Sequence, residues 1–234
     1  MEERIAAGLA QLGLTPPPGT AAKLARYGEM LIEQNKVMNL TAITDPDQVA
    51  SLHMLDCAAL LRYGNLKGAS LIDVGTGAGF PGMPLQILQP RAKLTLLDSL
   101  GKRIHFLQEA CEVLGLQKTQ CIHARAEEFA REHRQGFDYA TSRAVAALNV
   151  LCELALPLVK VGGAFLAMKS VDSDEELRQA KSAIAQLGGV VESVHNYTIP
   201  STDVSHRLVI IRKVKPTPAS FPRPFAKIKK SPLI

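Results

Sequence analysis

The sequence is poor in the features that mark several large protein classes. It has four cysteines, Cys57, Cys111, Cys121 and Cys152, with no CxxC pair and no regular spacing. That pattern argues against structural zinc and against a disulfide framework, and it fits a reducing compartment. The longest apolar run, Leu148 to Val159, is broken by Glu153 and Pro157 and is too short to span a bilayer. The opening Met1-Glu2-Glu3-Arg4 carries the wrong charge for a signal peptide, and no apolar segment follows it. A cytoplasmic protein with no membrane and no metal partner is therefore expected. Acids are missing from the end of the chain. Eight basic residues and no acidic ones follow Asp203, which leaves the first 203 residues with 19 basic against 22 acidic side chains, a net of −3.

That basic segment suits a polyanion, most simply nucleic acid, or else a solubilising tail. Phe221 and Phe225 favour contact over mere solvation, and five prolines, at 216, 218, 222, 224 and 232, stiffen the segment. The chain as a whole is 47% hydrophobic, as a globular protein should be, and its 234 residues suffice for one full core with a small appendage.

Residues 1–64 read as a helical extension, with Leu24, Tyr27, Leu31 and Ile32, then Val49, Leu52, His53 and Asp56, at helical spacing. From residue 65 to 214 short apolar strands alternate with helices. The strands expected are Leu71–Val74, Lys93–Asp98, Gln120–His123, Phe137–Ser142, Ala164–Lys169, Val190–Thr198 and Arg207–Lys213. Helices are expected between them, including Gly101–Leu114, Leu148–Val159 and Asp174–Leu187. Such alternation predicts an α/β fold: a seven-stranded, mostly parallel sheet with helices on both faces. The short link between the last two strands predicts a hairpin and hence one antiparallel strand. Residues 215–234 form the basic, proline-rich tail.

The stretch LIDVGTGAGFPG, residues 71–82, lies between a strand and a helix. It is not a P-loop, because Met83 stands where the lysine should follow Gly82. Nor is it a dinucleotide fingerprint, because Phe80 occupies the third glycine position. What remains is Asp73-x-Gly75-x-Gly77-x-Gly79, a turn on which a ligand can rest against bare backbone, or a structural turn. Twenty-five positions after Asp73, the next strand ends in Asp98. A carboxylate at that tip can accept two ribose hydroxyls, or else cap the next helix. A ribose hook beside a loop unsuited to pyrophosphate points to a nucleoside without phosphates, and S-adenosyl-L-methionine is such a ligand.

These residues, LIDVGTGAGFPGMPLQI followed by LTLLDSLGKRIHFLQ, resemble the bacterial 16S ribosomal RNA guanine-N7 methyltransferase G family, also called glucose-inhibited division protein B. The resemblance runs the length of the chain. It takes in NLTAI at 39–43, HMLDC at 53–57, ARAEEF at 124–129, TSRAVA at 141–146 and the terminal FPRPFAKIKKSPL. It implies a Rossmann-like class I methyltransferase that moves a methyl group from S-adenosylmethionine to N7 of a guanine in the 530 loop of 16S ribosomal RNA, free or in a precursor of the small ribosomal subunit. It also implies cofactor contacts at Gly75, Phe80, Asp98, Ser99, Ala126, Glu127 and Arg143, beside the motif residues Asp73 and Gly77.

The chemistry agrees with what the sequence lacks. Guanine N7 has an in-plane lone pair and no proton, so no general base is obligatory and alignment is the main task. Neither the Asp/Asn-Pro-Pro-aromatic motif of exocyclic-amine methylation nor the Pro-Cys of cytosine C5 methylation is present. Arg143 is open to four readings: cofactor contact, guanine O6, a phosphate, or a surface arginine paired with an acid. Glu127 and Glu128 also read as helix-start acids. His53 and Asp56 share a helix face and could order RNA, close over the site, or be structural; Asn39 has the same status. Lys102, Arg103 and Lys169 are candidates for RNA near the pocket, and Arg223, Lys229 and Lys230 for RNA on the tail. Removal of 216–234 is expected to weaken RNA binding and leave cofactor affinity little changed. A monomer is expected. Two other classes stay open: a small-molecule methyltransferase and a non-catalytic RNA-binding assembly factor.

Overall fold

The computed structural model describes residues 1–143 and 146–234. Its centre is a seven-stranded sheet in the order β3-β2-β1-β4-β5-β7-β6, built from β1 (Ser70–Val74), β2 (Lys93–Asp98), β3 (Thr119–His123), β4 (Phe137–Arg143), β5 (Val159–Ser170), β6 (Gly189–Thr198) and β7 (Ser205–Lys213). All pairs are parallel except those of β7, which runs antiparallel to both β5 and β6. This is the sheet expected from the sequence, with its single reversed strand.

Both faces are covered, and the strands show why they read as unbroken apolar runs. Leu71, Leu94, Leu96, Leu166 and Ile210 point into one core, whereas their neighbours Ile72, Leu97, Phe165, Val209 and Ile211 point into the other. The first core is closed by α1 (Glu2–Gln11), α2 (Thr20–Met38), a helical run over 46–62, α5 (Gly82–Leu88) and α6 (Gly101–Leu114). That run comprises α3 (Pro46–Gln48), a π-helical segment Val49–Leu55, α4 (Asp56–Ala58) and a final 3-10 turn. Ile5, Leu9, Leu24, Tyr27 and Leu31 are buried there, so the amino-terminal helices share a core with the sheet. The second core is closed by α7 (Ala126–Glu132), α8 (Leu148–Ala155), α9 (Asp174–Gln186) and α10 (Phe225–Lys230).

One expectation is corrected. The helix expected over Leu148–Val159 ends at Ala155, turns through Leu156–Leu158 and enters β5 at Val159. Pro157 has no N–H to continue the helix, and β-branched Val159 and Val161 suit a strand. The basic, proline-rich tail packs on the rest of the protein: Ile228 is fully buried in the second core, and Arg223 is paired with Glu153. Of the motif at 141–146, Ala144 and Val145 lie outside the described residues. Among the described residues no helix is long and apolar enough to cross a membrane, and no cluster of three metal-ligating side chains occurs.

Candidate functional site

Parallel pairing of β1 with β2 brings Val74 level with Leu97, so Asp98 and the glycine loop meet at one edge of the sheet. That edge lies beside the switch point between β1 and β4, where open α/β sheets bind ligands. Gly75, Gly77 and Gly79 have φ of 68°, 59° and 85°. The loop curls back on itself, and its amides are largely taken. Gly75 and Thr76 donate to the Leu97 carbonyl at 2.9 and 3.0 Å, and Gly79 and Phe80 donate to the Thr76 carbonyl at 2.9 and 3.1 Å. The Gly77 N–H donates to Asp98 Oδ2 at 2.9 Å.

Asp73 braces this turn from behind. Its Oδ2 accepts from Thr76 Oγ1 at 2.6 Å and from the Gly82 N–H at 2.9 Å, while Oδ1 has no protein partner. Burial pushes its carboxyl up to about 6, against the lowering effect of those hydrogen bonds. From the other side, Tyr27 of α2 donates its hydroxyl to the Ala78 carbonyl. A Cβ on Gly79 would lie 2.3 Å from the Tyr27 oxygen, so no side chain fits there.

Two cavities open at the strand tips. The first, of about 140 Å³, is lined by Gly75, Asp98, Ser99, Ala126 and Glu127, together with Arg125 and with Phe225 of the tail. Five of the nine candidate cofactor residues thus meet in one place. Asp98 is 4% exposed, and its Oδ1 accepts from the Leu100 N–H at 2.9 Å. Arg103, a candidate for RNA, instead sits 3.4 Å from Asp98 Oδ2. Lys102 is exposed beside it.

The second cavity, of about 570 Å³, lies at the tips of β4 and β5 and is lined by Leu52, His53, Arg143, Met168, Lys169 and His206, among others. Arg143, expected among the cofactor residues, lines this second cavity and not the first, and it is no free surface arginine. It donates to the Leu52 carbonyl and to Asp56 Oδ2, each at 3.1 Å, and to His53 Nδ1 at 3.0 Å. Its guanidinium lies 4.8 Å from the Phe80 ring centroid, and His53 stacks on that ring at 4.5 Å. Phe80 is therefore held behind the loop by these two side chains. It does not line the first cavity either.

Asp56 is the hub. It is fully buried, and its Oδ1 also accepts from the Tyr197 hydroxyl at 2.8 Å and pairs with His206 Nδ1 at 2.9 Å. The hydrogen bond to Asp56 raises the His206 pKa, outweighing partial burial. His53 is driven the other way: burial, then the Arg143 charge, lowers its pKa to about 4. Arginine can only donate, so His53 Nδ1 accepts and the neutral ring carries its proton on Nε2, 2.9 Å from Thr41 Oγ1. The widened π-turn over Val49–Leu55 sits at this junction, as such turns often do at functional sites.

Lys169 pairs with Glu176 and donates to the Ala146 carbonyl at 3.0 Å. Asn39 ends α2 with φ 48° and lines neither cavity. Lys229 and Lys230 are exposed, as an RNA contact requires. Arg223 is not available: its backbone N–H, Nε and a terminal nitrogen all donate to the fully buried Glu153, at 2.9, 2.8 and 2.6 Å. Sequence reasoning missed Tyr27, Tyr197, His206 and Glu176. Glu153, a lone acid inside an apolar run, was the one visible signal that something basic had to dock on it.

The profile of the family described as "rRNA small subunit methyltransferase G" (GidB) matches residues 20–205. A ribosomal RNA small subunit methyltransferase G of Alkaliphilus metalliredigens is 44% identical, over 97% of this chain and 96% of its own length. One of Clostridium perfringens is 46% identical over 90% of each chain. Among solved structures, M. jannaschii TYW2 in complex with AdoMet is similar in fold at 14% identity, with a TM-score of 0.53 over 65% of this chain and 72% of that one. On sequence and fold together, the chain belongs to the GidB family of ribosomal RNA small subunit methyltransferases.

Proposed function

We infer that the chain transfers a methyl group from S-adenosylmethionine to N7 of a guanine in 16S ribosomal RNA, with the nucleoside part of the cofactor in the first cavity and the guanine in the second. The observation that carries the reading is the condition of the glycine loop. The amides of Gly75, Thr76, Gly77, Gly79 and Phe80 are already bonded within the protein, and the buried Asp98 carboxylate stands beside them. A pyrophosphate would find these loop amides taken and a buried carboxylate opposing its charge. A ribose would find a carboxylate with one acceptor site open on Oδ1, and a second on Oδ2 once the long 3.4 Å contact to Arg103 gives way. Asp98, Ser99, Ala126 and Glu127 would hold the adenosine, with Gly75 giving close approach to backbone.

S-adenosylmethionine supplies an electrophilic methyl group. Guanine N7 brings a lone pair and no proton, so the protein's own part is binding and alignment. The second cavity matches that demand. His53 is neutral and its Nδ1 is engaged by Arg143, so it is not placed to act as a base. Arg143 and Lys169 are each paired with a carboxylate, Asp56 and Glu176, which limits unbalanced positive charge near a base that becomes cationic on methylation. Exposed Lys102, Lys227, Lys229 and Lys230 are available for phosphate contacts. A ribosomal RNA substrate implies action in the cytoplasm.

The test is methylation of 16S RNA, or of a small-subunit precursor, from cells lacking the gene, followed by digestion and mass spectrometry. One new N7-methylguanosine in the 530 loop is the expected result. Methylation of another atom, or of a metabolite pool in preference to RNA, would overturn the reading. So would binding of the cofactor with no methyl transfer to RNA.

A further inference from the structure

The carboxy-terminal segment is built into the protein by contacts that a solubilising tail would not need. Lys213, 1% exposed, donates its ammonium to the Leu156 carbonyl and to Thr217 Oγ1, and Thr217 Oγ1 donates on to the Leu187 carbonyl at 2.7 Å. Arg134 holds the carbonyls of Thr217 and Phe221, at 2.6 and 2.5 Å. Glu153 grips Arg223 through three donors, and Asn149 Nδ2 reaches the Leu233 carbonyl at 2.9 Å. Ile228 is fully buried. Asn149 and Glu153 lie on α8, whose Leu154 lines the first cavity, and together the anchors fix the position of α10.

The first residue of α10 is Phe225, which lines the first cavity together with Leu154, Ala126, Asp98 and Ser99. The Arg125 guanidinium lies 5.8 Å from its ring centroid and steadies it. An aromatic ring in a small cavity that also holds Val74, Leu97 and Leu154, together with the carboxylate that would take a ribose, is placed to meet a purine.

We propose that Phe225 is a cofactor-binding residue, the outer wall against which the adenine rests, and that the carboxy-terminal strap is therefore part of the cofactor site. The proposal rests on the reading that the first cavity takes the adenosine of S-adenosylmethionine. It reverses the expectation that removing 216–234 would leave cofactor affinity little changed.

The experiment is calorimetric titration of S-adenosylhomocysteine into the full chain and into Phe225→Leu, Phe225→Ala and Phe225→Tyr. Phe225→Leu keeps apolar packing and removes the ring, so it remains informative if the alanine variant folds poorly. Base–aromatic stacking predicts roughly tenfold weaker binding for Phe225→Leu and Phe225→Ala. Phe225→Tyr should stay within about twofold of the parent, and the ligand-free thermal midpoint of Phe225→Leu should be nearly unchanged. Parent-like affinity in Phe225→Leu would overturn the proposal, and so would a loss in Phe225→Tyr as large as that in Phe225→Leu. An affinity loss that tracks a fallen ligand-free midpoint would also overturn it, because the ring would then be structural. No binding by the unaltered chain would instead overturn the assignment of the cavity itself.

Discussion

Replacing Asp56 by asparagine keeps the shape of the side chain and removes its charge. The residue is fully buried and serves Arg143, Tyr197 and His206 at 3.1, 2.8 and 2.9 Å. Arg143 would then be left with its side chain only 16% exposed and no carboxylate against it. Breaking a buried ion pair by removing one partner costs about 3–5 kcal/mol. In a chain of this size each kcal/mol lowers the thermal midpoint by about 2–4 °C, so Asp56→Asn should melt about 10 °C below the parent. Urea unfolding of Asp56→Asn, Arg143→Met and the double variant forms a cycle. The double variant should be less destabilised than the two single variants added together, by at least about 1 kcal/mol. The gap between parent and Asp56→Asn should also depend on pH. His206 has a folded-state pKa raised above its ordinary value by Asp56, so its contribution is complete below about 6.5 and is lost as pH rises through the folded value. An additive cycle, or an unchanged midpoint for Asp56→Asn, would refute the view that this carboxylate bolts the amino-terminal helices to β4, β6 and β7.

His53 gives the opposite pH signature. Its folded pKa near 4 lies below the unfolded value, so the unfolded chain takes up the proton first and stability falls as pH drops from about 6.5 toward 4, by at most about 3 kcal/mol. His53→Gln should lack that loss when urea midpoints are compared at pH 7 and pH 5; an identical drop in both proteins would contradict it. Gly79→Ala should cost about 3 kcal/mol, because φ is 85° and the new Cβ would meet Tyr27, Met83 and Leu107 at 2.3–2.8 Å. Gly77→Ala, with φ 59° and nothing within 4 Å, should cost about 1 kcal/mol, and equal losses would refute the role given to the Tyr27 clamp.

The strand tips were legible because the pattern that makes a buried strand also ends it. An apolar run closing on Asp73, and another closing on Asp98, locate the ligand edge without any knowledge of pairing. Gly75, Ser99, Ala126 and Glu127 come only with the family resemblance, carried by motifs such as DSLGKR and ARAEEF. What composition cannot reveal is which charges are already paired. Arg223 looked like part of a basic arm, yet its partner Glu153 lies 70 residues earlier in sequence. Asp56 meets Tyr197 and His206 across 141 and 150 residues, a contact that only the reversed β7 and its neighbour β6 create. The π-turn was equally hidden, since helical spacing over Val49–Asp56 is compatible with an ordinary α-helix.

The central claim is that the cleft at the tips of β1 and β2 takes a nucleoside without phosphates, held at its ribose by Asp98. The direct measurement is titration of S-adenosylhomocysteine, with ADP as competitor, into the protein and into Asp98→Asn. The account predicts one site per chain, no competition by ADP, and binding at least tenfold weaker in Asp98→Asn, the loss expected for hydrogen bonds to a charged acceptor. Displacement by ADP at comparable concentration, or unchanged affinity in Asp98→Asn, would contradict it.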